Sequence, residues 1–197
     1  MEKITKGQKT KLQILQISDQ LFSEKGYSAT GVDEIVGSLN LTSGVFYNYF
    51  SSKAELLQQV VDQKIQKSKE ILLVAQEKES AMMWVQRILK IYLSPQHRDS
   101  LAQSCPMTTL SQELIKLNVH QSTGLAEYTQ EFAAILNRRL MMLNPKNEGK
   151  AFSIMSLCVG ALILSRLERD ILKSDQILTE AYHSALSLIE KRDVHVG

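Results

Sequence analysis

Thr42-Ser43-Gly44-Val45-Phe46-Tyr47-Asn48-Tyr49-Phe50 is the stretch whose reading decides what kind of chain this is. Thr42 can cap a helix start, and Ser43 and Gly44 keep the first turn thin. Tyr47, Asn48 and Tyr49 then offer hydrogen-bonding tips without a single charge. Phe46 and Phe50, four residues apart, share the inward face. An ordinary packing helix would also turn its aromatics inward, but a thin, neutral helix with polar tips fits a groove of double-stranded DNA. Ser51, Ser52 and Lys53 lead straight into another helix start, so phosphate-seeking groups follow the candidate reading face.

Upstream, Asn40 is the residue best suited to left-handed backbone before Thr42, and it predicts the tight turn of a helix-turn-helix. Thr30 with Asp33 spells a capping box for a helix reaching about Leu39, in which Gly37 costs roughly 1 kcal/mol against alanine. From Lys11, the residues Leu12, Ile14, Leu15, Ile17, Ser18, Leu21 and Phe22 recur at helical spacing, and Gly26 supplies the stop. Before them Lys3, Lys6, Lys9 and Lys11 stand against Glu2. They form a basic arm, read either as a solvated tail or as a DNA contact. No apolar run follows, which argues against a signal peptide.

Downstream, Ser52 with Glu55 forms a second capping box and opens a long helix toward Val74. Further helical stripes run from Met82 to Leu93, ending at Pro95 before a polar loop, and from Cys105-Pro106 through Leu110, Leu114 and Ile115. Another runs from Leu125 to Leu143 and closes at Asn144-Pro145. Residues 151–165 are apolar but too few for a comfortable membrane span, so a helix buried on all sides is expected, ending at Ile171 and Leu172. Ser156, Gly160 and Ala161 thin one side of it, inviting another helix from a second copy of the chain. A last helix follows Ser174-Asp175 and carries Tyr182, Ala185 and Ile189. The expectation is an all-α protein of about nine helices. Residues 1–53 form a three-helix helix-turn-helix domain, a linking helix runs from about 53 to 75, and residues 76–197 form a larger helical domain.

With 197 residues, 44% of them hydrophobic, the chain has ample material for a core. Its three prolines and nine glycines leave room for long helices, while a net charge of +2 decides nothing about partners. Cys105 and Cys158 lie far apart in a chain without export signals, which predicts free thiols in a reducing, cytoplasmic compartment. Glu180-Ala181-Tyr182-His183 has the Glu-x-x-His spacing of a di-iron bundle, but that site needs a second such pair. His97, His120 and His195 follow Ser94, Leu117 and Arg192 at this spacing, so no metal, cofactor or enzyme is expected.

Phe22-Ser23-Glu24-Lys25-Gly26-Tyr27, Thr30, Ile35, the run Leu41–Phe50 and Lys53 together resemble the TetR family of transcriptional regulators. The match covers about the first quarter of the chain, with glycine, tyrosine, phenylalanine and lysine at the family's spacing across two helix starts. The resemblance implies an N-terminal DNA-binding domain, a divergent helical ligand-binding domain and a homodimer through the last two helices. The interface would then draw on Ser156, Gly160, Ala161, Tyr182, Ala185 and Ile189. Carried over by position, Thr30 would bond a phosphate, Ser43, Gly44 and Asn48 would face base edges, and Tyr47, Tyr49 and Lys53 would grip the backbone, with Thr42 opening the helix. Ile17-Ser18, Val36, Leu39 and Asn40 depart from the family's smaller residues at these positions. No arginine or lysine lies between Leu41 and Ser52, so the commonest guanine reader is missing, and discrimination would lean on Asn48 to adenine, thymine methyls and DNA shape.

Met83, Trp84, Tyr92, Cys105, Met107, Tyr128 and Phe132 are the candidate lining of an apolar pocket for a small-molecule effector. Cys105, opening a helix before Pro106, is also a candidate redox or electrophile sensor, since a helix start favours thiolate. It resembles a TetR subgroup with cysteine at this position, although Ser104 stands where that subgroup usually has glycine. The bland alternative is a small buried cysteine. The leading expectation is a homodimeric repressor released from a palindromic operator by a ligand or thiol modification. The rival is a dimeric helical module that binds a small molecule and not DNA.

Overall fold

The computed structural model describes residues 5–73, 79–101, 105–118 and 124–190, with only the backbone described at 72 and 73. Among them are eleven α-helices and no strand. The class is all-α, and the additional helices have local causes. Residues 95–99, expected as a polar loop, form α6 because the Ser94 side chain accepts from the His97 amide and Pro95 sits in the first turn. The helix expected to run on from Cys105-Pro106 is broken at Leu110 into α7 (Pro106–Thr109) and α8 (Ser111–Lys116).

The chain divides into two compact units. One joins residues 1–66 to 101–125, and the other joins 67–100 to 126–197. Residues 101–125 thus group with the N-terminal helices, where sequence periodicity placed them in the C-terminal domain. Periodicity gives Leu110 and Leu114 an inward face, and both are fully buried, but it does not name the partner.

In the first unit α1 spans Lys6–Lys25. It starts well before Lys11 because Thr5 and Gln8 form a capping box: Gln8 N donates to Thr5 Oγ1, and Thr5 N donates to Gln8 Oε1 at 2.7 Å. Lys6, Lys9 and Lys11 therefore project from a helix, and Lys3 lies outside the described residues. Gly26, at φ 88°, ends α1 and returns its N–H to Phe22 O. α2 (Val32–Gly37) opens on Gly31 with no side-chain cap, so the expected Thr30/Asp33 box does not form. Asn40, at φ 55°, makes the left-handed turn into α3 (Ser43–Tyr47).

α4 spans Lys53–Leu73 and starts where expected, with Ser52 Oγ accepting from Glu55 N. Glu55 reaches one residue further back than a capping box requires and accepts from the amide and hydroxyl of Ser51. Inside the unit Lys64 of α4, almost wholly buried, meets Asp19 of α1 at 2.7 Å.

The second unit holds α5 (Ala81–Tyr92), α6 and most of α9 (Leu125–Leu143), followed by α10 (Ala151–Leu167) and α11 (Ile171–Ser187). Ile171 and Leu172 begin α11 instead of ending α10, because Asp170 accepts from the Leu172 and Lys173 amides. The expectation that 151–165 is buried all round is also corrected. Ile154, Met155, Cys158 and Leu162 face inward, but Phe152, Ile163, Leu164 and Leu167 are exposed.

A buried arginine ties these helices together. Arg98 Nη1 donates to Ser174 Oγ at 2.8 Å and to Asp175 at 2.5 Å, while Nε pairs with Asp99. Ser174 in turn donates to Ser165 O, and Arg166 donates to the carbonyls of Arg98 and His97. No described helix is long and apolar enough to cross a membrane.

Candidate nucleic-acid interface

A five-residue helix cannot hold itself together in water, so α3 exists because it is anchored. Its anchors are Phe46 and Phe50, both buried, with ring centroids 5.4 Å apart. Turning these inward turns the intervening residues outward: Tyr47 is 60% exposed, and Thr42, Gly44 and Asn48 are exposed. A Cβ at Gly44 would meet only the Thr42 hydroxyl, at 3.9 Å, so this side of the helix is open. Thr42 occupies the cap position of α3 but makes no side-chain cap bond. Ser43 donates instead to Asp33 of α2, which braces the two helices across the Asn40 turn.

Tyr49 is half-buried. Its hydroxyl lies 3.6 Å from where a Cβ would stand on Gly7, so the end of α3 rests against the first turn of α1. Lys11 adds a second contact there, its ammonium 5.4 Å from the centroid of the Phe50 ring. Lys11 thereby stands beside the end of a charge-free helix, with Lys6 and Lys9 on the same first turns of α1. Sequence reading saw the basic stretch but not the Thr5–Gln8 cap that fixes its geometry, although the S/T-x-x-E/Q signal was present.

Thr30 and Lys53 occupy different surroundings from the exposed positions of α3. Thr30 is buried, and its hydroxyl donates to Gly26 O at 2.9 Å. Lys53 Nζ donates to Tyr27 O at 2.9 Å and Thr30 O at 2.8 Å, and stands 4.1 Å from the centroid of the Tyr27 ring. Burial lowers the Lys53 pKa from its ordinary value, partly countered by the charge of Glu113. The Lys53 ammonium therefore closes the connector between α1 and α2 from the first turn of α4. Glu113 was not foreseen at this site, since nothing in its local sequence points to the connector between α1 and α2.

The expected pocket residues fall in different units. Cys105 and Met107 belong to the first; Met83, Trp84, Tyr92, Tyr128 and Phe132 belong to the second. Met83 is 59% exposed and so does not line an interior. Trp84 is fully buried, and the Tyr128 and Phe132 rings lie parallel with centroids 6.4 Å apart. Cys105 is buried at the cap of the four-residue α7, and burial pushes the Cys158 thiol up to about 12. Of the expected interface residues, Ser156 is exposed and Gly160 and Tyr182 are half-exposed. Ala161, Ala185 and Ile189 are buried within their own unit, where α10 packs on α11, and so do not face outward.

Comparison with known proteins adds a family pattern to this geometry. Residues 14–60 match the model for bacterial regulatory proteins of the tetR family. An HTH-type transcriptional regulator in the lacX 3' region of Lactococcus lactis subsp. lactis is 26% identical over 168 residues, covering 82% of this chain and 86% of that protein. The TetC protein of transposon Tn10 from Escherichia coli is 44% identical over 45 residues, 23% of each chain. Among solved structures, a TetR transcriptional regulator from Legionella pneumophila superposes with a TM-score of 0.76 at 21% identity, covering 92% of this chain and 97% of that one.

Proposed function

From its place in the TetR family of transcriptional regulators, we infer that this DNA-binding chain is a homodimeric repressor that leaves a palindromic operator when a small molecule binds. The family and the relatives are transcriptional regulators, not enzymes. One observation carries the proposal: α3 and its cap present Gly44, Tyr47 and Asn48 outward, uncharged, beside the first turns of α1 with Lys11. Asn48 then reads a base edge, with Ser43 and Gly44 close to the groove floor and Thr42, Tyr47 and Tyr49 at the backbone. Lys6, Lys9 and Lys11 supply phosphate attraction. Thr30 and Lys53, closed on carbonyls of the connector, act by positioning α2 and α4.

The dimer reading rests on the outward stripe Phe152, Ser156, Gly160, Ile163 and Leu167, which follows one face of α10. A Cβ at Gly160 would meet nothing within 4 Å, which leaves space for a second helix. Of the two release signals, a small molecule is favoured over thiol modification. Cys105 is only 6% exposed, and the helix behind it is too short for a substantial dipole. A ligand that prefers the DNA-incompetent state lowers DNA affinity by its differential affinity, typically ~1–3 kcal/mol.

Selection of binding sites from random DNA tests the reading. An enriched palindrome is the expected result, and its absence favours the small-molecule module that does not bind DNA. On the selected site Lys9→Ala should weaken binding at all sequences and reduce the salt slope by about 1, whereas Asn48→Ala should relax preference at one base position per half-site.

A further inference from the structure

Trp84 is the single tryptophan of the chain and is fully buried in α5. Its indole N–H has no hydrogen-bond acceptor among the described residues. Buried indole N–H groups ordinarily find a partner, so this donor points to an acceptor that the described residues do not supply. Arg87 follows one helical turn later on the same side of α5. Its Nε faces both oxygens of Glu79, at 2.9 and 3.1 Å, but its Nη2 is buried and has no acceptor among the described residues. From α9, the guanidinium of Arg139 stands 5.5 Å from the centroid of the Trp84 ring. Two guanidinium groups and an indole N–H therefore share one neighbourhood, and among the described residues the carboxylate that meets them is that of Glu79, on Arg87.

We propose that this face of α5 and α9 binds a carboxylate on an apolar or aromatic body, with Arg87 Nη2 and Trp84 Nε1 donating to the anion and Arg139 completing its charge balance. The donors left over are two, close in sequence register and buried. A carboxylate accepts more than one hydrogen bond and neutralises the surplus cation, which a neutral carbonyl does not. The apolar body follows from α9, where Tyr128 and Phe132 lie at helical spacing from Arg139 and stack in parallel with their centroids 6.4 Å apart. The inference rests on the effector reading above and gives that effector a chemical class.

The unique Trp84 provides the readout. The intact protein, without DNA, is titrated with benzoate, cyclohexanecarboxylate and octanoate, and with benzamide as the neutral counterpart of benzoate, while indole fluorescence is followed. A saturable change with at least one carboxylate, at least tenfold weaker for benzamide than for benzoate where benzoate binds, is expected. Arg87→Lys keeps the charge but removes the planar fork, and Arg139→Gln removes a charge. Each should weaken the best carboxylate by tenfold or more while leaving the far-ultraviolet circular dichroism unchanged. Trp84→Phe, followed by calorimetry, should weaken it as well. No saturable response from any carboxylate, or equal affinity in Arg87→Lys and Arg139→Gln, overturns the site and means that water satisfies these donors. Carboxylate binding that leaves affinity for the selected operator unchanged upholds the site and overturns its role as the effector site. Intact operator binding with no carboxylate response overturns the site alone.

Discussion

Glu113 of α8 accepts two hydrogen bonds from Ser28, one from its hydroxyl at 2.9 Å and one from its amide at 3.4 Å, across eighty-five positions of sequence. The same carboxylate lies 3.6 Å from where a Cβ would stand on Gly26. One acidic side chain thus fastens α8 to the connector that leads from α1 to α2. Both partners are solvent-accessible, so the anchor is modest. Glu113→Ala and Ser28→Ala should each destabilise the protein by about 0.5–1.5 kcal/mol. In a double-mutant cycle by urea denaturation their effects should be less than additive. Full additivity would show that the two side chains act separately.

Lys64 presents a harsher case. Its ammonium, 3% exposed, is paired with Asp19 at 2.7 Å between α1 and α4. Removing one member of a buried pair strands the other, so Asp19→Ala and Lys64→Ala should each cost about 3–5 kcal/mol. Replacing both, as Asp19→Leu with Lys64→Met, should cost much less than the sum. Chemical denaturation of the three variants measures the difference, and a loss in the double variant equal to the sum of the two single losses would refute a charge-pairing origin.

Arg98 organises the second unit through Asp99, Asp175 and Ser174, and it donates to three different side chains. Arg98→Lys keeps the charge but cannot reproduce that fork, and should lower stability by roughly 1–3 kcal/mol. The Arg98 hydrogen bond holds Asp99 below the usual carboxylate range. The unfolded chain therefore binds more protons than the native one between the depressed and ordinary values. The Asp99 contribution is present above the ordinary carboxylate pKa and lost as pH falls through the depressed one. Because Asp99 is 63% exposed, that contribution should be no more than a few tenths of a kcal/mol. Asp99→Asn, compared with the parent by thermal melts from pH 6 to pH 2, should flatten the acid limb only slightly.

Cys158 titrates in the opposite sense. Burial pushes its thiol up to about 12, from an ordinary value of 9.0. Between these values the native state keeps a proton that the unfolded chain releases, so stability present below pH 9 falls as pH rises toward 12. Cys158→Ala should start less stable, by about 1–2 kcal/mol for the lost packing, but decline less steeply with pH above 9. Under native conditions at pH 8 a thiol reagent should leave Cys158 unmodified, and rapid labelling there would contradict its burial.

Much of the first unit was readable because its signals are local. Gly26 and Asn40 are backbone decisions, and both adopt the left-handed φ that their residue types favour. Phe46 and Phe50 turn inward as their spacing requires, leaving Tyr47 and Asn48 exposed. What escaped reading is non-local or rests on competing local choices. Thr30 can open a helix by its sequence, but a carbonyl at Gly26 takes its hydroxyl once α1 has ended there. Asp33 likewise had two partners within reach and took Ser43. Glu113 meeting Ser28 and Arg98 meeting Asp175 are products of chain topology, which periodicity does not encode. For the same reason the apolar run 151–165 reveals that α10 is hydrophobic but not which of its faces the chain itself covers.

The anchoring of α3 by two phenylalanines separates two kinds of selective constraint within nine residues. Phe46 and Phe50 hold the helix in place, so exchange there endangers the fold. Gly44, Tyr47 and Asn48 bear little of that duty, because all three are exposed and a Cβ at Gly44 would meet only the Thr42 hydroxyl, at 3.9 Å. Variation at these three positions is therefore nearly neutral for folding and falls almost wholly on what the helix touches. The surface of α3 can drift toward a new partner sequence without the protein first having to be stabilised.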